Sequence, residues 1–271
     1  MSLFITSLNS GSNGNCYYIG NQEEAILVDV GISCRETEKR MQRLGLSMKT
    51  VKAIFVSHEH SDHITGIPVL SRKYQLPVYI TAGTLHQGGL ELAAERVHSF
   101  SAHVPVQIGA LQVTAFPKLH DAADPHSFIV RNQEVTIGIF TDIGQPCAQL
   151  TAYFKMCHAA FLEANYDENM LLNGRYPWML KNRIRGGRGH LSNAQALSLF
   201  CEHKPPFMSH LLLAHLSKDN NDPSLVEQLF RPHARGTEIV VASRYAATAL
   251  YYITAAPGTS KEGQRKQLSL F

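Results

Sequence analysis

The sequence is poor in cysteine, and the five it has fall in no useful pattern. Cys16, Cys34, Cys147, Cys157 and Cys201 include no C-x-x-C pair, which excludes a zinc ribbon and leaves an odd count that fits no closed disulfide framework. Charge is modest as well. Only 17% of residues are Asp, Glu, Lys or Arg and the net charge is +3, so an anionic partner must be argued from local clusters and not from the total. No apolar run approaches the roughly 20 residues needed to span a bilayer. The segment Met1 to Thr6 lacks the basic and long apolar regions of a secretion signal. The expectation is a soluble cytoplasmic protein with no membrane partner. There is no short internal repeat, and no linker before Ala256.

Histidine, in contrast, is abundant: fourteen in 271 residues. Imidazole is the commonest protein metal ligand and is rarely accumulated for packing alone. The hydrophobic content of 44% is enough for a sizeable core.

Short apolar runs bounded by turns predict strands at Leu3 to Leu8, Cys16 to Ile19, Ala25 to Val28, Val51 to Val56, Val104 to Ile108, Leu111 to Phe116, Ser127 to Val130 and Val135 to Phe140. Later strands are expected at Ala159 to Glu163, Leu211 to Ala214 and Ile239 to Val241. Helical spacing appears at Ser33 to Leu44, Asp62 to Tyr74, Gln145 to Lys155, Ala194 to Glu202 and Pro223 to Phe230. This order, with helices available for the outer faces of two sheets, predicts an α/β fold, an αββα four-layer sandwich. The expected division is a hydrolase domain at 1–256 and a flexible tail at 257–271.

Ser57-His58-Glu59-His60-Ser61-Asp62-His63 follows the apolar strand Val51 to Val56. Three imidazoles and a carboxylate within six residues, at the end of a rigid element, form a nitrogen and oxygen ligand set for zinc, manganese or iron. The pattern H-x-H-x-D-H after a strand resembles the signature of the metallo-β-lactamase superfamily. By that resemblance His58, His60 and His120 would hold one divalent ion and Asp62, His63 and His215 a second, with Asp142 bridging. Asp62 would also count among the catalytic groups, and Asp29 would brace the metal loop from behind. His210 lies close to His215 in sequence but precedes the apolar strand, where the pattern wants a residue after it.

Two later segments, Glu163-Ala164-Asn165-Tyr166-Asp167 and Gly189-His190-Leu191-Ser192-Asn193, point to the phosphodiesterase branch. There a glutamate and a histidine cooperate to protonate the departing oxygen, a role Glu163 and His190 would fill. The segment between them, Arg175 to Arg188, has five basic residues, no acidic ones and the sole tryptophan, Trp178. Lys181, Arg183, Arg185 and Arg188 are expected to meet a nucleic-acid backbone, a solvated helix face being the alternative. Together with Ser10-Gly11-Ser12-Asn13-Gly14-Asn15, His120-Asp121-Ala122 and His215-Leu216-Ser217, these motifs resemble the YycJ-like (WalJ) family of DNA exonucleases. That resemblance implies 5′ to 3′ degradation of DNA, with RNA the less expected substrate. Ser12, Asn13 and Asn15 are expected to contact phosphate, although a plain turn explains the same residues.

Only 72 residues separate Asp142 from His215, too few for the insertion domain of the β-CASP ribonucleases. The alternatives are a ribonuclease or small cyclic-phosphate or nucleotide diesterase of the same fold, and a regulatory metal-binding module without catalysis. Finally, Gln267-Leu268-Ser269-Leu270-Phe271 resembles the short motif by which bacterial DNA-processing proteins dock on the sliding clamp. Leucine and a terminal aromatic can anchor in an apolar groove while glutamine fixes register.

Overall fold

The computed structural model describes residues 2–255. The expected clamp motif, Gln267 to Phe271, lies outside them.

Six strands, β1 (Leu3–Asn9), β2 (Cys16–Gly20), β3 (Ala25–Val28), β4 (Val51–Phe55), β5 (Val78–Tyr79) and β6 (Val97–His98), form one sheet in chain order. A second sheet runs through β7 (Pro105–Ile108), β8 (Leu111–Pro117), β9 (His126–Arg131), β10 (Thr136–Phe140), β11 (Ala159–Glu163), β12 (His210–Ala214) and β13 (Glu238–Val241). The chain then returns as β14 (Tyr251–Ile253), which pairs antiparallel with β1 and closes the far edge of the first sheet.

Each sheet begins antiparallel and turns parallel where helices carry the crossovers. Helices α1 (Cys34–Arg43), α2 (Ser61–Ile64), α3 (Ile67–Tyr74) and α4 (Ala82–Gly88) belong to the first half. Helices α5 (Ala148–Phe154), α6 (Glu168–Asn173), α7 (Trp178–Arg185), α8 (Asn193–His203) and α9 (Pro223–Phe230) belong to the second.

Three apolar cores separate four layers. Side chains alternate across a strand, so Tyr17 and Ile19 of β2 enter the core between the sheets while Cys16 and Tyr18 face α1 and α3. On β11, Ala159 and Phe161 likewise join the inter-sheet core, and Ala160 and Leu162 pack under α5, α8 and α9. Burial on both faces explains why these strands read as unbroken apolar runs. Tyr17 and Phe161 meet across the sheets with ring centroids 4.8 Å apart. The four-layer αββα sandwich expected from the sequence is the fold.

Two local expectations are corrected. The helix foreseen at Asp62 to Tyr74 is split into α2 and α3, because the N–H of Gly66 donates to the carbonyl of Val30 at 2.7 Å instead of continuing a helix. The helix foreseen at Gln145 to Lys155 starts only at Ala148, with Cys147 as its cap. The sequence reading also passed over the two-residue strands β5 and β6, the strand β14, and helices α4 and α6, and offered a helix at α7 only as an alternative. Among the described residues, no helix is long and apolar enough to cross a membrane.

Candidate metal centre and active site

The candidate ligands stand just past the C-terminal ends of β3, β4, β8, β10 and β12. Three of the residues there adopt a left-handed backbone that L-residues seldom take: Asp29 (φ 59°), Asp142 (φ 55°) and His215 (φ 56°). Each follows a strand and turns the chain sharply. Such strain persists only where the surroundings over-determine it, and here it aims all three side chains at one place.

Two ligand sets result. Nε2 of His58 and Nε2 of His120 lie 3.0 and 3.3 Å from Nδ1 of His60. Beside them, Asp62, His63 and His215 converge, with Oδ2 of Asp62 3.5 Å from Nε2 of His63 and 3.3 Å from Nε2 of His215. Asp142 sits between the sets. Its Oδ2 is 3.2 Å from Nε2 of His63, and its Oδ1 is 3.6 Å from Nε2 of His215 and 3.8 Å from Nε2 of His120. The structure thus brings together all seven residues named from the sequence.

The donor set fits divalent cations. Imidazole nitrogens that face each other at hydrogen-bond distance have their lone pairs directed to a common point, and Oδ2 of Asp142 is buried with no hydrogen-bond partner. A cation would satisfy both.

Behind the ligands, a second set of groups fixes four of the five imidazole rings. Nδ1–H of His63 donates to Oδ2 of Asp29 at 2.7 Å. Nδ1–H of His58 donates to Oγ of Ser57, which in turn donates to the same Asp29 oxygen, both at about 2.9 Å or less. Asp29 is completely buried and also accepts the N–H of Ser57 at 2.8 Å. Nδ1–H of His120 donates to the carbonyl of Gly189 at 2.9 Å, and Nδ1 of His215 lies 3.0 Å from Oε1 of Glu163. Such partners choose the tautomer and leave the opposite nitrogen to the metal.

Charge follows geometry. Burial drives His58 well below its usual range and His120 down to about 4, so both are neutral. Burial alone would do the same to His63, but the carboxylates of Asp142, Asp62 and Asp29 outweigh it and raise this imidazole to about 10. His215 is raised well above its ordinary value in the same way, by Asp142, Asp62 and Glu163 acting against burial. For Asp62, burial is overcome by His63 and His215, which hold the carboxyl at about 2.

Glu163 is fully buried at the end of β11. Oε1 lies 2.8 Å from Nδ1 of His190, and Oε2 accepts the N–H groups of Ile143 and Leu191 at 2.7 and 3.2 Å. Burial opposes its ionisation, but the His190 imidazole holds it at about 2. A carboxylate so enclosed is placed to orient other groups: Glu163 contacts both His190 and His215. The His190 ring stands between those of His120 and His215, 5.3 Å from each centroid. With Nδ1 held by the carboxylate, Nε2 is the nitrogen available to a substrate.

The motif around His190 has a packing logic. The loop passes so close beneath α7 that a Cβ on Gly189 would lie 2.1 Å from the carbonyl of Ile184. Ser192 and Gln195 form a reciprocal cap at the start of α8. These contacts fix His190 and the Gly189 carbonyl together.

Several expected nucleic-acid contacts are otherwise engaged. Asn15 is buried, and its Nδ2 donates to Oδ2 of Asp62 at 3.1 Å, so it braces a ligand. Lys181 is also buried, and its ammonium donates to the carbonyl of Leu172 at 2.7 Å. Arg183 is ion-paired to Asp121, beside His120. Ser12, Asn13, Arg185 and Arg188 are exposed; the Arg185 guanidinium lies 4.9 Å over the Trp178 ring. His210 stands at the opposite end of β12 from His215, 3.3 Å from Glu238, and takes no part in the centre.

The sequence reading missed Ser10, Ser57, Asn165 and Gly189. Ser10 Oγ accepts the N–H of His215 at 2.7 Å, and Asn165 Nδ2 donates to the carbonyl of His215 at 2.7 Å. All four lie inside motifs visible in the sequence, Ser10 to Asn15, Ser57 to His63, Glu163 to Asp167 and Gly189 to Asn193, and that was the signal available.

Comparison with known proteins agrees with this geometry. Residues 24–215 match the family described as the beta-lactamase superfamily domain. The chain is 37% identical over 225 residues to exodeoxyribonuclease YycJ of Bacillus anthracis, covering 82% of this chain and 85% of that protein. It is 30% identical over 219 residues to exodeoxyribonuclease WalJ of Streptococcus pneumoniae, covering 79% and 81%. Among solved structures, the metallo-β-lactamase fold protein YhfI of Bacillus subtilis superposes with a TM-score of 0.71 at 15% identity, over 93% of this chain and 100% of that one, a likeness of fold.

Proposed function

Because the chain belongs to the metallo-β-lactamase superfamily, among the YycJ and WalJ exodeoxyribonucleases, we propose that it is a two-metal nuclease that degrades DNA from the 5′ end in repair or replication. The enzyme is a metal-dependent hydrolase. His58, His60 and His120 would hold one divalent ion and Asp62, His63 and His215 the other, with Asp142 shared between them. Zinc or manganese suits these donors best, with iron third. When bound, two such ions lower the pKa of a coordinated water from ~15.7 towards ~7 and neutralise charge developing on phosphate oxygens.

The chain's own residues supply the rest. Asp29, Ser57 and Glu163 hold the imidazoles in the tautomers that ligation requires. Asp142, between the two sets, and Asp62, within the second, supply negative charge that stays ionised at working pH. His190, steered by Glu163, holds a proton at Nε2 for the departing ester oxygen. The observation that carries the reading is the 2.8 Å contact between Glu163 and His190. A thioester, whose thiolate departs without a proton, would not need a buried carboxylate–imidazole pair beside a complete ligand set, whereas a departing alkoxide needs a proton.

A direct test digests end-labelled duplex DNA, single-stranded DNA, RNA and a small chromogenic diester with zinc- or manganese-loaded protein. Mononucleotides released from the 5′ end of DNA are expected. Turnover of the small diester alone would replace the nuclease with a small-molecule phosphodiesterase, and preference for RNA would make it a ribonuclease.

The pentapeptide Gln267 to Phe271 supports a further reading, that the tail docks on the bacterial sliding clamp. If the ten residues before the pentapeptide behaved as a random coil, the reach would be roughly 16–19 Å, and the local concentration of enzyme would rise to the mM scale.

A further inference from the structure

The C-terminal ends of β12 and β13 and the start of α9 enclose a cavity of about 310 Å³, within the size range of small-ligand sites. Its inner wall includes Ser10 and Leu216. Ser10 supports the backbone of His215, and Leu216 follows it directly. The cavity therefore adjoins the ligand centre on its His215 side.

The outer wall carries Lys218, Arg244 and Tyr245. Among the described residues, neither cation has a carboxylate partner. Oδ1 of the cavity's own carboxylate, Asp222, accepts the N–H groups of Ser224 and Leu225 at the start of α9.

Arg244 is held in place by the turn that the sequence showed as Ser10 to Asn15. Nη2 of Arg244 donates to Oγ of Ser12 at 2.9 Å, and Nδ2 of Asn13 donates to the carbonyl of Arg244 at 2.9 Å. The Arg244 side chain packs on Gly11, which takes a φ of +136° and where a Cβ would stand 2.9 Å from Nη2. A glycine-rich turn 232 residues earlier in the chain thus positions one arginine. Nε of that arginine is buried with no hydrogen-bond partner. A buried charged donor left without an acceptor is costly, and an anionic oxygen would supply one.

We propose that this cavity is a terminal-nucleotide subsite, in which Lys218 and Arg244 take the phosphate monoester at the end of a DNA strand and Tyr245 stacks on its base. The inference deepens the nuclease reading and rests on it. A terminal phosphate carries about −1.5 to −2 charge near pH 7, against −1 for an internal diester, and so matches two cations better than a continuous strand does. Tyr245, three-quarters exposed, presents the kind of aromatic face on which any base can stack. With the end nucleotide seated there, the next phosphodiester lies on the His215 side, and hydrolysis removes residues from an end.

The test uses the metal-loaded protein and single strands of one sequence bearing a 5′-phosphate, a 3′-phosphate or hydroxyls at both ends. The wild type should favour the 5′-phosphorylated strand over the hydroxyl-ended strand by tenfold or more in kcat/KM; a preference for the 3′-phosphate would overturn digestion from the 5′ end. In Lys218→Ala and in Arg244→Ala that ratio should fall towards one, mainly through KM. Lys218 is exposed, so its variant tests the idea even where loss of Arg244 disturbs the turn. DNA cleavage by the wild type without end preference, or a preference that survives both substitutions, overturns the subsite alone. A wild type that turns over only bis(p-nitrophenyl) phosphate overturns the nuclease reading and the subsite with it.

Discussion

Oε1 of Glu163 lies 2.8 Å from Nδ1 of His190, and the carboxylate is wholly enclosed while the imidazole is one-fifth exposed. In the proposed mechanism the buried member orients and the exposed member acts. Replacing His190 by Ala should lower kcat on DNA by about 10²–10⁴-fold while metal content stays at two ions per chain. Metal analysis alongside the rate decides it, since loss of an ion would make His190 a ligand.

Asp29 touches no substrate, yet it holds His63 directly and His58 through Ser57. Asp29→Ala should therefore weaken metal binding by about 10–100-fold, read by competition with a chromophoric chelator. Unchanged affinity would mean that packing alone fixes these rings.

Metal binding should release protons. His63, raised to about 10, and His215, raised well above its usual value, are both charged near pH 7.5 without a cation, and a ligating imidazole must be neutral. Titration calorimetry in buffers of different ionisation enthalpy should show about two protons leaving as both sites fill. The stability sign follows from the same shift. Folding raises the His63 pKa above the usual 6.5, so in metal-free protein its stabilisation is complete below 6.5 and is lost as pH rises through about 10. A metal-free protein whose melting temperature is flat across that window would contradict this charge assignment.

Gly189→Ala should cut activity more than stability. The added Cβ meets the Ile184 carbonyl, and relief requires moving the loop that carries His190 and the acceptor for His120. A fall in kcat of tenfold or more with a destabilisation of about 1–3 kcal/mol is expected from kinetics and denaturant titration. A variant of full activity would mean the loop adjusts elsewhere.

Deleting Gln267 to Phe271 should abolish binding to the sliding clamp and leave digestion of naked DNA as it was. Surface-immobilised clamp provides the measurement, and equal binding by the truncated chain would end that reading.

The fold was legible because strands buried on both faces leave long apolar runs, as at Ala159 to Leu162 and Leu211 to Ala214, and because α8 and α9 announce themselves by Ser192 and Asp222 at their caps. Elements of two or three residues such as β5, β6 and β14 were not, since their hydrogen bonds go to partners far away in the chain. The same division runs through the site. His58, His60, Asp62 and His63 sit within six residues and identify themselves. The fates of Lys181 and Asn15 turned instead on what surrounds them: one carbonyl at Leu172, and the carboxylate of Asp62.

Sequence alone determined the kinds of donor and their order: imidazoles and carboxylates at strand ends, apolar strands to carry them, and a glycine-rich turn near the start. Ligand type is a property of single residues and needs no partner to be read. Only the tertiary structure decided that Glu163 serves His190 and His215 together, that Asp142 stands between two ligand sets, and that the Ser10 to Asn15 turn holds Arg244 beside a cavity. Those are distances between residues tens to hundreds of positions apart, set by how two sheets pack face to face and bring their strand ends to one rim.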